Sequence, residues 1–379
     1  REREAFRPDA SPSLPVGRVS WPCPRNPALS TTDRAADERI NGVSSTPFLA
    51  FHLIPLAAIW TGVSLTAVVL CVVLYFGRMF LITAGYHRYF SHRSYRLGRV
   101  AQFLMALGGT TAMQKGPLWW AAHHRDHHRY SDTDRDVHSP TRGFWWCHVG
   151  WILCDKYGPT VESRVKVLAL YSELRWLNRH DWVGPLALAV GCFAIGGWSG
   201  LVIGFGLSTL LLWHGTFLVN SLAHVVGRRR YATSDTSRNS LVIALLTNGE
   251  GWHNNHHHYQ ASARQSFHWY QWDPSFYVLW LLSKVGIVRD LKTPTPEIKS
   301  MSLVGAGHFD IGMFQKRWHV ASERLVAFGI HAADTLTERR AVLEARIDAA
   351  RHDFDQYLQA QRLAFDELAA LRLAARSLQ

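Results

Sequence analysis

Two long stretches of this 379-residue chain contain no Lys, Arg, Asp or Glu: residues 40–77 and 182–227. Each exceeds the roughly 20 residues of one bilayer crossing and is long enough for two, so a buried soluble core is a poor account of them. No CxxC pair occurs. The five cysteines, Cys23, Cys71, Cys147, Cys154 and Cys192, are scattered and two lie in apolar segments, which argues against a disulfide framework or a zinc-thiolate site. The first 46 residues have no apolar run of signal-peptide type, so no cleavable signal is expected. Acidic residues number 29 against 41 basic ones, giving a net charge of +12. No nucleic-acid recognition motif accompanies that charge, so anionic lipid headgroups or the phosphates of a carrier such as coenzyme A are the expected partners, not nucleic acid.

Histidine is plentiful where charge is scarce. Nine of the 21 histidines fall into four short clusters. HRYFSH holds His87 and His92, HRDHH holds His124, His127 and His128, NSLAH ends in His224, and HNNHH holds His253, His256 and His257. Neutral imidazole binds iron, zinc or copper well, and spacings of three and four place side chains on one helix face. Nine ligands exceed what one ion takes, so the count favours two metals. Imidazole donors disfavour magnesium and calcium, which prefer oxygen. His52, His148, His180, His268 and His319 are read as ordinary structural residues.

The pattern predicts an all-α polytopic membrane protein with four transmembrane helices in two hairpins, about 46–86 and 182–226. The second hairpin turns at Gly196–Gly200. A helical cytoplasmic cap, 87–181 and 227–296, then holds eight of the nine histidines, and the last turns of the second hairpin carry Asn220 and His224 at the membrane interface. Together these form a membrane domain over 46–296. Arginines crowd every segment outside the hairpins, which places those segments, and the histidine clusters, on the cytoplasmic side. Leu97–Met113 is expected as an interfacial helix and Trp119–Arg129 as the next. Residues 1–45 read as a polar, poorly ordered leader. Residues 297–379 read as an extension, proline-free beyond Pro296. Ile347, Ala350, Phe354, Leu358, Phe365 and Leu368 mark a long amphipathic helix there, available for self-association, membrane contact or packing on the cap.

The four motifs, in this order and with the flanking TAGYHRYFSHRSY and GEGWHNNHHHYQ, resemble the membrane fatty acyl desaturases of the stearoyl-CoA type over about residues 48–290. That resemblance implies two iron ions (Fe2+/Fe3+) held by the nine histidines, with O2 as co-substrate. Asn220 would reach one metal through a water, and Gln114, Trp120 and Thr216 would shape the bend of an acyl tunnel. His123 stands where animal relatives carry an acid. Glu250, Asp126 and Asp136 are the nearest candidates to orient ligand imidazoles. The implied reaction is insertion of a cis double bond, at Δ9, into a fatty acyl-CoA. Desaturation of acyl chains already in lipids, and hydroxylation, share the motif set. A non-catalytic metal-binding membrane protein is the reading from another class. No HPGG-like haem motif occurs, so electrons would come from a separate ferredoxin, rubredoxin or cytochrome b5 with its reductase. The expected location is a bacterial inner membrane rather than the endoplasmic reticulum.

Overall fold

The computed structural model describes residues 36–305, and the helical residues 344–345, 348–349, 351–352 and 355–356. The chain divides into two compact units, 1–316 and 317–379. The expected leader up to residue 35 and most of the expected C-terminal amphipathic helix lie outside the described residues.

The described chain is mostly helical, and three stretches are long and apolar enough to cross a membrane: Gly42–Thr61, Leu65–Ser91 and Val183–His224. The first contains α1 (Gly42–Phe51) and α2 (Ala58–Thr61). It begins slightly before residue 46, because the Asn41 side chain accepts from the N–H groups of Val43 and Ser44 and caps the helix there. The second is α3 (Leu65–Phe80), continued by a π-helix over Leu81–Ser91. The third comprises α8 (Val183–Ser199), a π-helical segment Gly200–Leu207 and α9 (Ser208–Asn220), with a final turn Leu222–His224. Val68, Val69, Val72 and Val73 on α3, and Leu186, Val190 and Ile195 on α8, lie open at the surface. Such apolar area facing water would cost about 25 cal/mol per Å², and hydrocarbon removes that penalty.

At 1.5 Å per residue a straight 42-residue helix would be roughly 63 Å long, twice the ~30 Å hydrocarbon layer. Gly197 interrupts it with φ 56° and ψ −149°, a conformation open to glycine. The chain folds back so tightly there that a methyl on Gly200 would overlap the Cys192 carbonyl oxygen. Ser199 ties this turn to the earlier one: its hydroxyl donates to Gly62 O at 3.1 Å and accepts from Ser64 N at 3.0 Å.

Between these segments run α4 (Arg99–Thr110), α5 (Pro117–Tyr130), α6 (Phe144–His148) and α7 (Ser172–Arg179). After them come α10 (Leu241–Leu246), α11 (His253–His258), α12 (Pro274–Lys284) and α13 (Pro296–Ser300). Among the described residues, extended pairing interrupts the all-helical reading at four isolated bridges and at a two-residue antiparallel ladder, β1 (Arg96–Leu97) with β2 (Val288–Arg289). The ladder pairs the chain leaving the π-helix with the chain leaving α12, satisfying backbone groups that no helix covers. Buried Arg78 donates to the carbonyls of Leu74 and Thr111 and the hydroxyls of Thr209 and Ser208, pinning α3 to α9. The core beneath the histidines is built on Tyr86, Phe90, Leu174, Leu177 and Leu212.

Candidate metal centre

Each histidine motif is presented by a local geometry suited to its spacing. A gap of five residues does not place His87 and His92 on one face of an α-helix, but the π-helix does, since its bonds run from residue i+5 to i. His92 N–H donates to His87 O at 3.2 Å, and the two rings sit 4.9 Å apart. His124 and His128 point one way from α5 and His127 another, because three residues advance a helix 60° short of a turn and four carry it 40° past. The α11 motif repeats this split with His253 and His257 against His256. His224 comes from the turn after α9.

The nine side chains converge as two groups. His87, His92, His124, His128 and His256 form one, and His127, His224, His253 and His257 the other, with ligand atoms in each group within 4.8 Å of one another. In the first group the Nε2 atoms of successive rings are 3.0 Å apart for His87–His256 and 2.9 Å for His256–His128, His128–His124 and His124–His92. In the second, His224 and His253 are separated by 3.1 Å. Two nitrogens at right angles on a metal about 2.1 Å away stand about 3.0 Å apart, so these spacings suit adjacent ligands of one ion. His127 Nε2 and His257 Nε2 are buried with no hydrogen-bond partner, as expected of lone pairs meant for a cation. Burial, then the neighbouring imidazoles, holds His92, His124, His128 and His256 well below the usual histidine range, and the same holds for His127 and His253. The rings are therefore neutral and able to ligate. The donor set fits two transition-metal ions.

Carboxylates hold the outer nitrogens. Glu250 Oε2 is 2.5 Å from His87 Nδ1, Asp136 Oδ1 2.9 Å from His127 Nδ1, Asp132 Oδ1 3.1 Å from His224 Nδ1, and Asp235 Oδ2 2.7 Å from His257 Nδ1. Burial pushes the Glu250 carboxyl up, but His87 and Arg88 more than offset it and the net shift is downward. His257 does the same for Asp235. Asp136, buried near Asp132, is shifted upward, chiefly by burial. Of the acids named from sequence, Asp126 sits elsewhere. It lies on the side of α5 away from the histidines and pairs with Arg164. Asp132 and Asp235 escaped the sequence reading. Both occupy the middle of a Ser-Asp-Thr tripeptide, residues 131–133 and 234–236, a repetition that could have drawn attention. His138 was also missed; its ring lies 4.2 Å from that of His127. His123 belongs to neither group, and its Nδ1 meets Trp119 O at 2.9 Å.

An apolar cavity of about 210 Å³ reaches this centre, lined by Phe48, Trp151, Trp213 and Phe217 and ending at His124 and His138. Gln114 Nε2–H donates to Thr216 Oγ1 at 3.0 Å, and Trp120 Nε1–H donates to Gln114 Oε1 at 3.2 Å. Trp120 stacks on His124 at 4.9 Å, so the three residues named for a tunnel bend form one connected group against the first cluster. Trp120, Thr216 and Asn220 also line a smaller adjoining cavity, which touches His87 and His124 from one group and His127 and His253 from the other.

The family model described as fatty acid desaturase matches residues 64–280, more than half of the chain. The icosanoyl-CoA 5-desaturase of Limnanthes douglasii is 37% identical over 219 residues, 56% of this chain and 61% of that protein. The acyl-CoA C20 Delta5-desaturase of Anemone leveillei is 39% identical over 57% of this chain and 70% of its own length. The sn-1 stearoyl-lipid 9-desaturase of Anabaena variabilis is 37% identical over 257 residues, covering 67% of this chain and 94% of that protein. The family model spans all four histidine-bearing segments, and the chain belongs to the fatty acid desaturase family.

Proposed function

We propose that this protein is an O2-dependent fatty acyl desaturase that inserts a cis double bond, at Δ9, into a saturated acyl-CoA. The observation that carries this reading is the convergence of nine imidazoles, as five and four, beside an apolar cavity. Two iron ions held by these rings, drawing on dioxygen, supply the oxidising power that an unactivated methylene requires. The remaining work falls to the protein. Glu250, Asp132, Asp136 and Asp235 fix ring orientation. Asn220, at the junction of the two cavities, holds a water for one metal. Gln114, Trp120 and Thr216 bend the acyl chain so that one methylene pair lies beside the cage, and aromatic walls keep bulk water away.

Two hairpins with four crossings, a cytoplasmic histidine cap and a bacterial inner membrane complete the proposal. The Gly197 reversal supports the fourth crossing. Electrons come from a separate ferredoxin, rubredoxin or cytochrome b5. Residues 320–379 serve association or membrane contact rather than the chemistry.

A second reading, desaturation of acyl chains already esterified in lipids, is favoured by the near full-length match to the Anabaena stearoyl-lipid enzyme. The relatives' names carry positions 5, 7 and 9, so regiochemistry needs its own measurement. The test is expression in a host lacking its own Δ9 desaturase, with new fatty acids identified by mass spectrometry. Labelled stearoyl-CoA and labelled stearoyl-lipid are then supplied separately to membranes. A Δ9 product from the CoA ester supports the first reading, product from the lipid alone the second, and a hydroxy acid would replace both.

A further inference from the structure

A basic and aromatic face of the chain backs onto the four-imidazole group. Burial, then the neighbouring cations Arg230, Lys299 and Arg264, holds His268 below the usual imidazole range, so three cations stand around one ring. Arg230 Nη1–H donates to Tyr270 Oη at 3.5 Å, and the Tyr270 and His268 rings stack with centres 5.4 Å apart. The Arg264 guanidinium lies 5.3 Å from the centre of the Phe276 ring, and its Nε–H donates to Ser266 Oγ at 3.3 Å. Among the described residues, no carboxylate pairs with Arg230, Arg264 or Lys299. Glu297, two residues before Lys299, hydrogen-bonds Thr295 instead. Like charges held together repel and cost stability, which a partner of opposite charge would recover. Trp269 is 88% exposed and Tyr270 57% exposed on the same loop.

Behind this face an aromatic group leads to the metal centre. Tyr231 is fully buried and stacks on His258, with ring centres 4.1 Å apart and planes at 6°. Buried Phe267 closes the group at 5.7 Å from Tyr231. The group is tied to the charged face by the chain itself, since Tyr231 follows Arg230 and Phe267 precedes His268. Tyr231 Oη–H also donates to Lys299 O at 3.2 Å. His258 is outside both metal groups, and its Nε2 meets Ile298 O at 2.8 Å. It directly follows His257, a member of the four-imidazole group. From ligand to outer face the order is His257, His258, Tyr231 and Arg230, each bonded to the next or in ring contact with it.

We propose that the face formed by Arg230, Arg264, His268, Trp269, Tyr270 and Lys299 is the docking surface for an acidic one-electron carrier protein. This rests on the desaturase reading above, whose balance calls for electrons. R–CH2–CH2–R′ + O2 + 2 e− + 2 H+ gives R–CH=CH–R′ + 2 H2O. The acyl chain loses two hydrogen atoms, dioxygen gains four electrons, and two of those come from the carrier in two docking events. In each event the carrier loses one electron and the metal centre gains one, and no bond forms or breaks at the face. Trp, Tyr and Arg are enriched at protein interfaces, and complementary charge speeds encounter and sets orientation. None of the six residues lines either cavity, so a docked carrier leaves the acyl chain its own way in. Anionic headgroups would also meet the cations, but only an electron donor has use for the aromatic group behind them.

The test uses metal-replete full-length protein in phosphatidylcholine nanodiscs and the triple variant Arg230→Gln, Arg264→Gln, Lys299→Gln. Acidic forms of ferredoxin, rubredoxin and the soluble domain of cytochrome b5 are each reduced, mixed with oxidised protein without oxygen, and followed by stopped-flow absorbance. The fastest of the three should reduce the wild type at a rate that falls steeply as salt rises. The triple variant should be at least about 10-fold slower at low salt and nearly insensitive to salt. Dithionite, too small to need a docking face, should reduce both alike at equal metal content. If the triple variant loses metal, charge reversal at one position, Lys299→Glu, gives the same comparison. Equal carrier rates for wild type and variant overturn the proposal, and loss of phosphatidylglycerol enrichment from mixed nanodiscs in that variant then assigns the face to the bilayer. A wild type that none of the three carriers reduces overturns it as well. The parent reading is judged apart from this. Protein reduced with dithionite and freed of it is given dioxygen with acyl-CoA or acyl-lipid, and absence of unsaturated product refutes desaturation while the anaerobic rates still decide the surface.

Discussion

Asp132 Oδ1 stands 3.1 Å from His224 Nδ1, with Asp132 held in a left-handed backbone conformation at φ 57°. The same loop sends Asp136 to His127, and Asp136 Oδ2 accepts from Asp132 N at 2.7 Å. Thr236 N–H donates to Asp132 Oδ2 at 2.5 Å, next to the Asp235 that holds His257. Three carboxylates thus interlock around the four-imidazole group, whereas Glu250 serves the five-imidazole group through His87.

Asp132→Asn should therefore act on one metal more than the other. Loss of such a partner typically weakens metal binding about 10–100-fold. Under mild chelation, metal per protein should fall from two toward one, with Asp235→Asn behaving alike. Two metals retained at wild-type affinity would show that these acids merely fill space.

Trp120 touches His124 by stacking and Gln114 by a hydrogen bond, so Trp120→Ala opens the cavity without removing a ligand. The expected result is a mixture of double-bond positions or slower turnover at full metal content. Product positions and rates identical to wild type would reduce Trp120 to packing.

Gly251 separates Glu250 from the α11 histidines, and a methyl there would overlap the backbone of Ala244 and Ser240. Backbone cannot rotate aside as a side chain can, so Gly251→Ala should exceed the roughly 1–3 kcal/mol of ordinary overpacking. The observable is a lower unfolding temperature together with metal loss from both groups. A variant as stable and metal-replete as wild type would contradict the packing described.

Glu38 bonds Arg142 at 2.7 Å and Lys156 at 2.6 Å. Burial raises its carboxyl, but the two cations outweigh burial and the net shift is downward. A carboxyl lowered on folding stabilises above its unfolded value, near pH 4.3, and loses that contribution as pH falls through the folded value. Glu38→Gln should cost on the order of 1 kcal/mol at pH 7, given the partial exposure of the pair. The gap from wild type should close in acid. A gap that persists unchanged at pH 3 would assign the loss to packing instead of charge.

Local spacing carried a large part of the reading. The order of HRYFSH, HRDHH, NSLAH and HNNHH sufficed to identify the family, and the charge-free runs marked apolar membrane helices, because both signals lie within a few residues of each other along the chain. Glu250 and Asp136 were visible through their nearness to histidine motifs. Helix phase alone could have turned Asp126 away from the α5 histidines. What the sequence left open depends on contacts between distant segments. The division of nine imidazoles into five and four follows from how the π-helix, α5 and α11 cross. Asp132 meets His224, and Asp235 meets His257, only once separate loops close over the same centre. Arg230, Arg264 and Lys299 lie in separate segments, and only the packing of the cap brings these cations around His268. Periodicity is a one-dimensional property and can be read from order alone. Pairing across the fold depends on the path of the backbone, which is settled only when all the helices pack together.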